Sequence, residues 1–403
     1  MKISQRIYDT KIMPFLFFLV VVANNTFGSD AEMYFISKMI ILMFLITTFA
    51  FMFFQKKIIL KKNIVWVFSF MALELISVVW SYDKGIAIGQ LQTQIQLFLL
   101  FLAVYFYVDK TQDVESFYKA TYFSGYTLAL YSIYVYGVNG FLKLLIEGNR
   151  MGGEIANENT FGMVFALSFI TAFYFMLRGS DKSLILSKLH VVSMGVFGFF
   201  AFSSGSKKAF LIIIFGVVGI SVTFYGIRKI WKVFLILMVA AFILVNIMQL
   251  DMFSTINERL TSFLSGDLNV SDQIRATYME TGLKLIWDKP LFGYGLRNFG
   301  SVTGFGTYSH NNYIELGVSL GITGVIIYYI PIITSFIKLL KLALEKNKET
   351  ILLLLFVSVN IIFGYGMVQY YEKDTWILIA VTMGTLNSKY NNKNVRRSID
   401  EHI

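Results

Sequence analysis

Cysteine is absent from the 403 residues, which excludes disulfides and thiolate metal sites and says nothing about redox compartment. Histidine is nearly absent too, with three residues, and charge is low at 15%, against roughly 25% in soluble domains. What replaces charge is apolar: 56% of the chain is hydrophobic and 17% aromatic. A soluble fold of this size has no core large enough to hide that surface. The apolar residues also run together, as in Ala209–Tyr225 and Val233–Leu250. Runs near 18 residues with few charges span a bilayer about 30 Å thick. Backbone groups in lipid must bond within their own segment, so each run reads as a helix.

The pattern predicts an all-α, polytopic membrane protein of about twelve spans. Their limits are 12–28, 33–54, 63–80, 91–108, 117–137, 160–177, 187–204, 209–226, 233–250, 312–337, 350–368 and 374–388. The basic stretch Met1–Lys11 and the apolar run after it read as a first span, since Asn24, Asn25 and Thr26 end the run without a cleavage site. The whole chain, 1–403, reads as one integral membrane domain. With the amino terminus inside, the cytoplasmic segments hold 23 of the 35 Lys and Arg residues. Both termini are then cytoplasmic, in the cytoplasmic membrane of the cell. The net charge of +10 is therefore a topology signal; a nucleic-acid footprint would gather on one face.

Twelve cations remain: Lys38, Lys84, Lys143, Arg150, Lys207, Lys208, Arg259, Arg275, Lys284, Lys289, Arg297 and Lys373. They fall outside or at the outer membrane edge, against the topology rule, and binding an anionic substrate explains part of the set. Of these, Arg259, Lys284, Lys289 and Arg297 read more simply as solvated or lipid-facing. Arg150 has Glu147 and Glu154 nearby as partners. Residues 251–311 form the longest polar stretch, a large extracytoplasmic loop. Within it, helical apolar spacing from Ser271 through Trp287, stopped by Pro290, predicts a short amphipathic helix on the outer face. Gly293-Tyr294-Gly295 follows as a tight backbone passage. A second glycine-rich stretch precedes Ser309-His310-Asn311-Asn312-Tyr313. Glu74, a carboxylate inside a span, is a functional suspect by default. Pro331 predicts a kink in the tenth span. No tandem repeat and no soluble domain are evident.

Four stretches together resemble the O-antigen ligase and Wzy-type polysaccharide polymerase family. They are Gly148-Asn149-Arg150-Met151-Gly152-Gly153 with Asn157 and Asn159; Gly205-Ser206-Lys207-Lys208-Ala209; Arg275 through Pro290-Leu291-Phe292-Gly293-Tyr294-Gly295 and Phe299; and His310-Asn311-Asn312-Tyr313 with Gly321 and Gly324. Lys207 stands where the family usually has Arg, and Ser319 where many members have Glu, with Glu315 one turn earlier. The resemblance implies transfer of a glycan from an undecaprenyl diphosphate carrier to a sugar hydroxyl, with inversion; the activated bond needs no nucleotide, no cofactor is expected, and no metal is expected because no ligand cluster appears in the outer segments. Donor and acceptor would both be undecaprenyl-diphosphate-linked oligosaccharides in the bilayer, with a flippase and a chain-length regulator as partners.

That chemistry needs a base and fixed cations. His310 is the one histidine on the outer side; the start of a helix disfavours imidazolium, leaving a neutral base near pH 7. Arg150, Arg275, Lys207 and Lys208 are the candidates for the diphosphate, with Arg259 and Arg297 in reserve, and a guanidinium there would grip two oxygens. Asn157, Asn159, Asn311, Tyr313 and Glu315 are supporting candidates, with Asn157 and Asn159 also fitting as helix caps and Glu315 as a group that orients His310. A polymerase of repeat units is the leading expectation. A ligase moving a finished glycan to a lipid or protein is the same-fold alternative. A transporter or flippase is the alternative from another class, disfavoured because the distinctive residues gather at the outer face rather than mid-bilayer.

Overall fold

The computed structural model describes residues 12–55, 64–147, 149–179, 184–226, 228, 231, 270–345 and 347–400. They form helices and their connections, with no strand among the described residues. The helices are α1 (Ile12–Phe27), α2 (Tyr34–Gln55), α3 (Val65–Ser77), α4 (Lys84–Thr111), α5 (Val114–Ile146), α6 (Glu158–Arg178), α7 (Leu184–Ser203), α8 (Lys207–Tyr225), α9 (Val270–Asp288), α10 (Phe299–Thr303), α11 (Asn312–Leu344), α12 (Ile351–Phe363) and α13 (Lys373–Asp400). Every predicted span except the ninth falls on one of them. The ninth, 233–250, lies outside the described residues, as do Arg259 and the rest of 251–269. By length and composition, five helices are apolar enough to cross a bilayer: α2, α4, α6, α8 and α11. Helices α1, α3 with its short extension, and α7 are apolar but shorter. On α2, Phe35, Met39, Ile46 and Phe53 face outward, as lipid-facing side chains do.

Helix α4 packs on α13, α6 on α7 and α8, α1 on α5, and α3 and α9 on α11. Polar residues begin the helices at one end of the bundle. Asp83, Asn157, Ser206 and Asn311 each accept a bond from a free amide of the first turn, as N-caps do. The starts of α4, α6, α8, α11 and α13 thus share the end where the described part of the large loop lies. The opposite end carries Lys110, Lys119, Arg178 and Lys389. There Arg178 pairs with Glu115 and Lys389 with Glu349 at 3.0 Å.

The backbone of α11 departs from helical angles at Gly321 (φ 66°, ψ −171°), not at Pro331. The physical reason is an exchange of hydrogen bonds with the Pro290–Gly295 segment. Val318 and Ser319 would serve Ile322 and Thr323 in a continuous helix. Instead their carbonyls accept from Tyr294 N and Gly295 N at 2.8 Å each. Ile322 N and Thr323 N donate to Pro290 O and Leu291 O, at 2.8 and 3.4 Å. Only glycine fits: a Cβ at Gly321 would lie 2.3 Å from the Leu291 carbonyl, and one at Gly293 would lie 2.4 Å from Val318 O. The same segment is tied to the α3–α4 turn, where Tyr82 N donates to Tyr294 O (2.8 Å) and Asp83 N to Asn298 Oδ1 (2.7 Å). A small core of Tyr294, Phe299, Ile314 and Val318, with Tyr278, Leu285 and Ile286 against it, seats α9 on the start of α11.

Gly321→Ala should therefore destabilise the protein by about 3 kcal/mol or more, combining left-handed strain with overpacking. Gly195→Ala, in open space on α7, should be neutral or slightly stabilising. Thermal unfolding in detergent checks both; equal midpoints for the two variants would contradict the docking described here.

Candidate functional site

A cavity of about 1220 Å³ opens between the helices at this end of the bundle. Its polar mouth is lined by Asn157, Asn159, Lys208, Arg275, Arg297, Tyr308, His310, Tyr371 and Glu372. Its depth is apolar, with Leu97, Leu100, Phe117, Leu128, Val164, Leu167, Phe356 and Val359. Such a cavity suits a molecule with a charged head and a hydrocarbon body.

His310 sits immediately before the α11 cap, at a left-handed φ of 56°. That conformation is uncommon for a residue with a Cβ, and its neighbours enforce it. Asn311 Oδ1 accepts from Tyr313 N and Ile314 N at 2.9 and 3.2 Å. Ser309 Oγ donates to Asn311 O at 2.8 Å, and Ser309 N donates to Glu315 Oε2 at 2.8 Å. Glu315 thus orients the backbone beside His310 rather than its ring. The imidazole lies 4.3 Å from the Tyr308 ring and nearly parallel to Tyr278 at 6.2 Å. Burial, then the charges of Arg275 and Lys208, push its pKa below the usual histidine range. It is therefore neutral at pH 7 and able to take a proton.

The cations reach this place by different routes. Arg275 and Lys207 share Asp272, at 3.7 and 3.8 Å, which joins α9 to the start of α8. Lys208 Nζ donates to Gly366 O at 2.6 Å. Arg150 is directed into the protein: Nε donates to Ser204 O (2.7 Å), Nη2 to Asn159 Oδ1 (3.5 Å), and Nη1 lies 3.6 Å from Glu158. Glu158 is thus a carboxylate neighbour that the sequence reading did not name. Neither Arg150 nor Lys207 lines the cavity. Asn159, which does, also accepts from Ser206 Oγ at 3.1 Å. Asn157 caps α6.

Asn312 ties the α12–α13 connection to the site. Its N donates to Gly364 O (2.7 Å), its Oδ1 accepts from Gln369 N (2.8 Å) and Tyr370 N (3.0 Å), and its Nδ2 donates to Tyr329 Oη (2.7 Å). Tyr313 Oη donates to Ile361 O at 2.6 Å. This connection presents Gly366 to Lys208 and Glu372 to the cavity.

Arg297, a reserve candidate in the sequence that also read more simply as solvated or lipid-facing, and Glu372, not singled out there, both line the cavity. A left-handed φ of 57° turns Arg297 there, where Nη1 donates to Gln90 Oε1 at 3.1 Å and the guanidinium lies 5.5 Å over Tyr371. Glu372 opens on the cavity but is enclosed enough by protein that burial, then Asp374, push its carboxyl up to about 7, with Lys373 and Arg297 opposing. A carboxylate in a short turn between predicted spans was its one sequence signal. Lys284 is exposed and pairs with Glu280 at 2.8 Å, and Lys289 lies over Tyr294 at 4.4 Å. Lys38 and Lys373 flank the Tyr34 ring at 4.4 and 4.1 Å. Glu74 is fully buried in α3, with neither carboxylate oxygen bonded.

Residues 189–329 match the family described as O-antigen ligase. The match includes Lys207, Lys208, Arg275, Arg297, Tyr308, His310 and Glu315. No curated protein matches the chain.

The electrostatics give a sign for pH. His310 should become protonated only below the ordinary value of 6.5, so its reactivity with diethyl pyrocarbonate should fall through a midpoint beneath pH 6.5. Arg275→Gln removes a charge that disfavours imidazolium, so it should raise that midpoint. Mass spectrometry of the modified peptide reads both, and an unmoved midpoint would separate Arg275 from His310.

Proposed function

From the O-antigen ligase-family region at 189–329 as premise, we propose that this multi-pass membrane protein is a polymerase. It joins undecaprenyl-diphosphate-linked oligosaccharide repeats into a capsular, O-antigen or exopolysaccharide chain on the outer face of the cytoplasmic membrane. The observation that carries this reading is that His310 lines the same cavity as Arg275, Lys208 and Arg297.

In this mechanism the diphosphate head rests among those cations and the polyprenyl tail lies against the apolar cavity depth. His310 accepts the proton of an acceptor hydroxyl. The freed oxygen attacks the anomeric carbon, and the bond from that carbon to the phosphate oxygen breaks on the opposite face, inverting the centre. The electron pair leaves on the diphosphate, where the cations hold the growing charge. A partly desolvated donor of this kind contributes about 3–4 kcal/mol to a transition state. Lys207, through Asp272, keeps Arg275 in place. The start of α11 positions His310, and the Asn312 bonds bring in Gly366 and Glu372. A flippase and a chain-length regulator would supply the substrate and set product length.

Reconstitution of the purified protein with one defined undecaprenyl-diphosphate oligosaccharide tests the reading by chain length. A ladder of products is expected. Single transfer to an added lipid or protein acceptor, with no ladder, would identify a ligase instead. His310→Ala should insert and fold yet lower turnover by at least about a hundredfold. Arg275→Lys should impair activity despite equal charge, because an ammonium lacks the planar fork; full activity in either variant contradicts its assigned role.

A further inference from the structure

A second cavity, of about 460 Å³, lies beside the first. Arg297 and Tyr308 belong to the walls of both, while Arg275, Lys208 and His310 line only the large one. The partition is thin at Tyr308, whose ring is 4.3 Å from that of His310. The far wall is polar: Gln90, Ser301, Thr307 and Glu315. Two of its groups are almost fully buried and lack a partner. Gln90 is 2% exposed and its Nε2 bonds nothing; Glu315 is 0% exposed and its Oε1 bonds nothing. Their other atoms are occupied. Gln90 Oε1 takes Arg297, which fixes the amide with its nitrogen as the free donor, and Glu315 Oε2 takes Ser309 N.

A buried donor and a buried acceptor without partners are each costly, so a ligand that meets both as the wall side chains give way is favoured. Hydroxyl groups do so, since each can accept from Gln90 and donate to Glu315. A fully ionised phosphate, which only accepts, would leave Glu315 without a donor. A cavity of this size takes a small carbohydrate. The glycine-rich stretch shapes its wall. At Gly300 an added Cβ would lie 2.7 Å from Thr307 O, and Gly304 and Gly306 adopt φ of 72° and 66°.

We infer that this second cavity is the subsite for the acceptor sugar, held by Gln90 and Glu315 across the Tyr308–Arg297 partition from the diphosphate. The inference rests on the polymerase reading and adds the place from which the acceptor comes. Attack on the anomeric carbon must come from the face opposite the leaving diphosphate, and this cavity lies across the partition from Arg275 and Lys208. The acceptor hydroxyl passes the edge of Tyr308 and gives its proton to His310. Its oxygen bonds the anomeric carbon as the phosphate oxygen departs with the electron pair.

The chain has no cysteine, so Ser301→Cys provides a single reporter in this cavity. The probe is a lipid-free repeat-unit oligosaccharide, released from the cell's own lipid-linked pool and fluorescently tagged at its reducing end; it can accept but cannot donate. It should slow alkylation of the full-length Ser301→Cys protein at least tenfold, while pyrophosphate slows it less than twofold. Adding Gln90→Glu, which keeps the oxygen facing Arg297 but removes the donor, should abolish that protection. The same Gln90→Glu change should raise KM for the tagged acceptor at least tenfold, and raise KM for the lipid-linked donor less, since that diphosphate meets Arg275 and Lys208 as well as Arg297. No protection by the oligosaccharide, equal protection by pyrophosphate, or equal rises in both KM values would each overturn the acceptor subsite. Turnover without protection sinks this inference alone. Protection lost on Gln90→Glu, in a protein that builds no chain from the lipid-linked substrate, sinks the polymerase reading and leaves a carbohydrate site standing.

Discussion

The exchange of backbone hydrogen bonds between α11 and the Pro290–Gly295 segment is the constraint on which the site depends. A helix interrupted at Gly321 exposes two carbonyls and two amides. In an apolar setting such groups must find partners, and the segment provides all four. Once that segment is seated, the chain from Arg297 to His310 has fixed ends: one at the α3–α4 turn through Asn298, the other at the Asn311 cap. A polar loop is thus positioned by strand-like bonding to a broken helix, without a domain of its own.

This explains which features were legible in sequence. Apolar runs gave the helices, because lipid forces each run to satisfy its own backbone. Short motifs gave His310, Arg275, Lys208, Asn157 and Asn159, all of which line the cavity. Proline drew attention to position 331, yet the break falls at Gly321, because it depends on a partner segment that no local propensity encodes. Arg297 was only a reserve candidate for a related reason: its left-handed φ of 57°, two places after Gly295, is not encoded by helical or extended spacing. Gln90 was invisible just ahead of the predicted span 91–108; only its contact with Arg297 gives it meaning.

Electrostatically, the mouth of the cavity is balanced rather than simply positive. Asp272 and the Gly366 carbonyl hold cations in place, and Glu372 lines the same cavity. The positive charge is thereby held at defined points instead of spread over a flexible patch. Fixed dipoles and charges cost little reorganisation when negative charge appears among them. The imidazole between Tyr308 and Tyr278 is kept neutral by the same surroundings.

The large cavity is built from two parts of the chain. Its reactive mouth comes chiefly from within residues 189–329, but Leu97, Leu100, Phe117, Leu128, Val164 and Leu167 come from α4, α5 and α6, outside the family match. Groove shape and reactive groups are therefore carried by separate stretches of polypeptide. On the proposed reading, foreign apolar side chains at those six positions, with Gln90 and Asn159 kept, would alter which lipid tail the groove admits while leaving 189–329 unchanged.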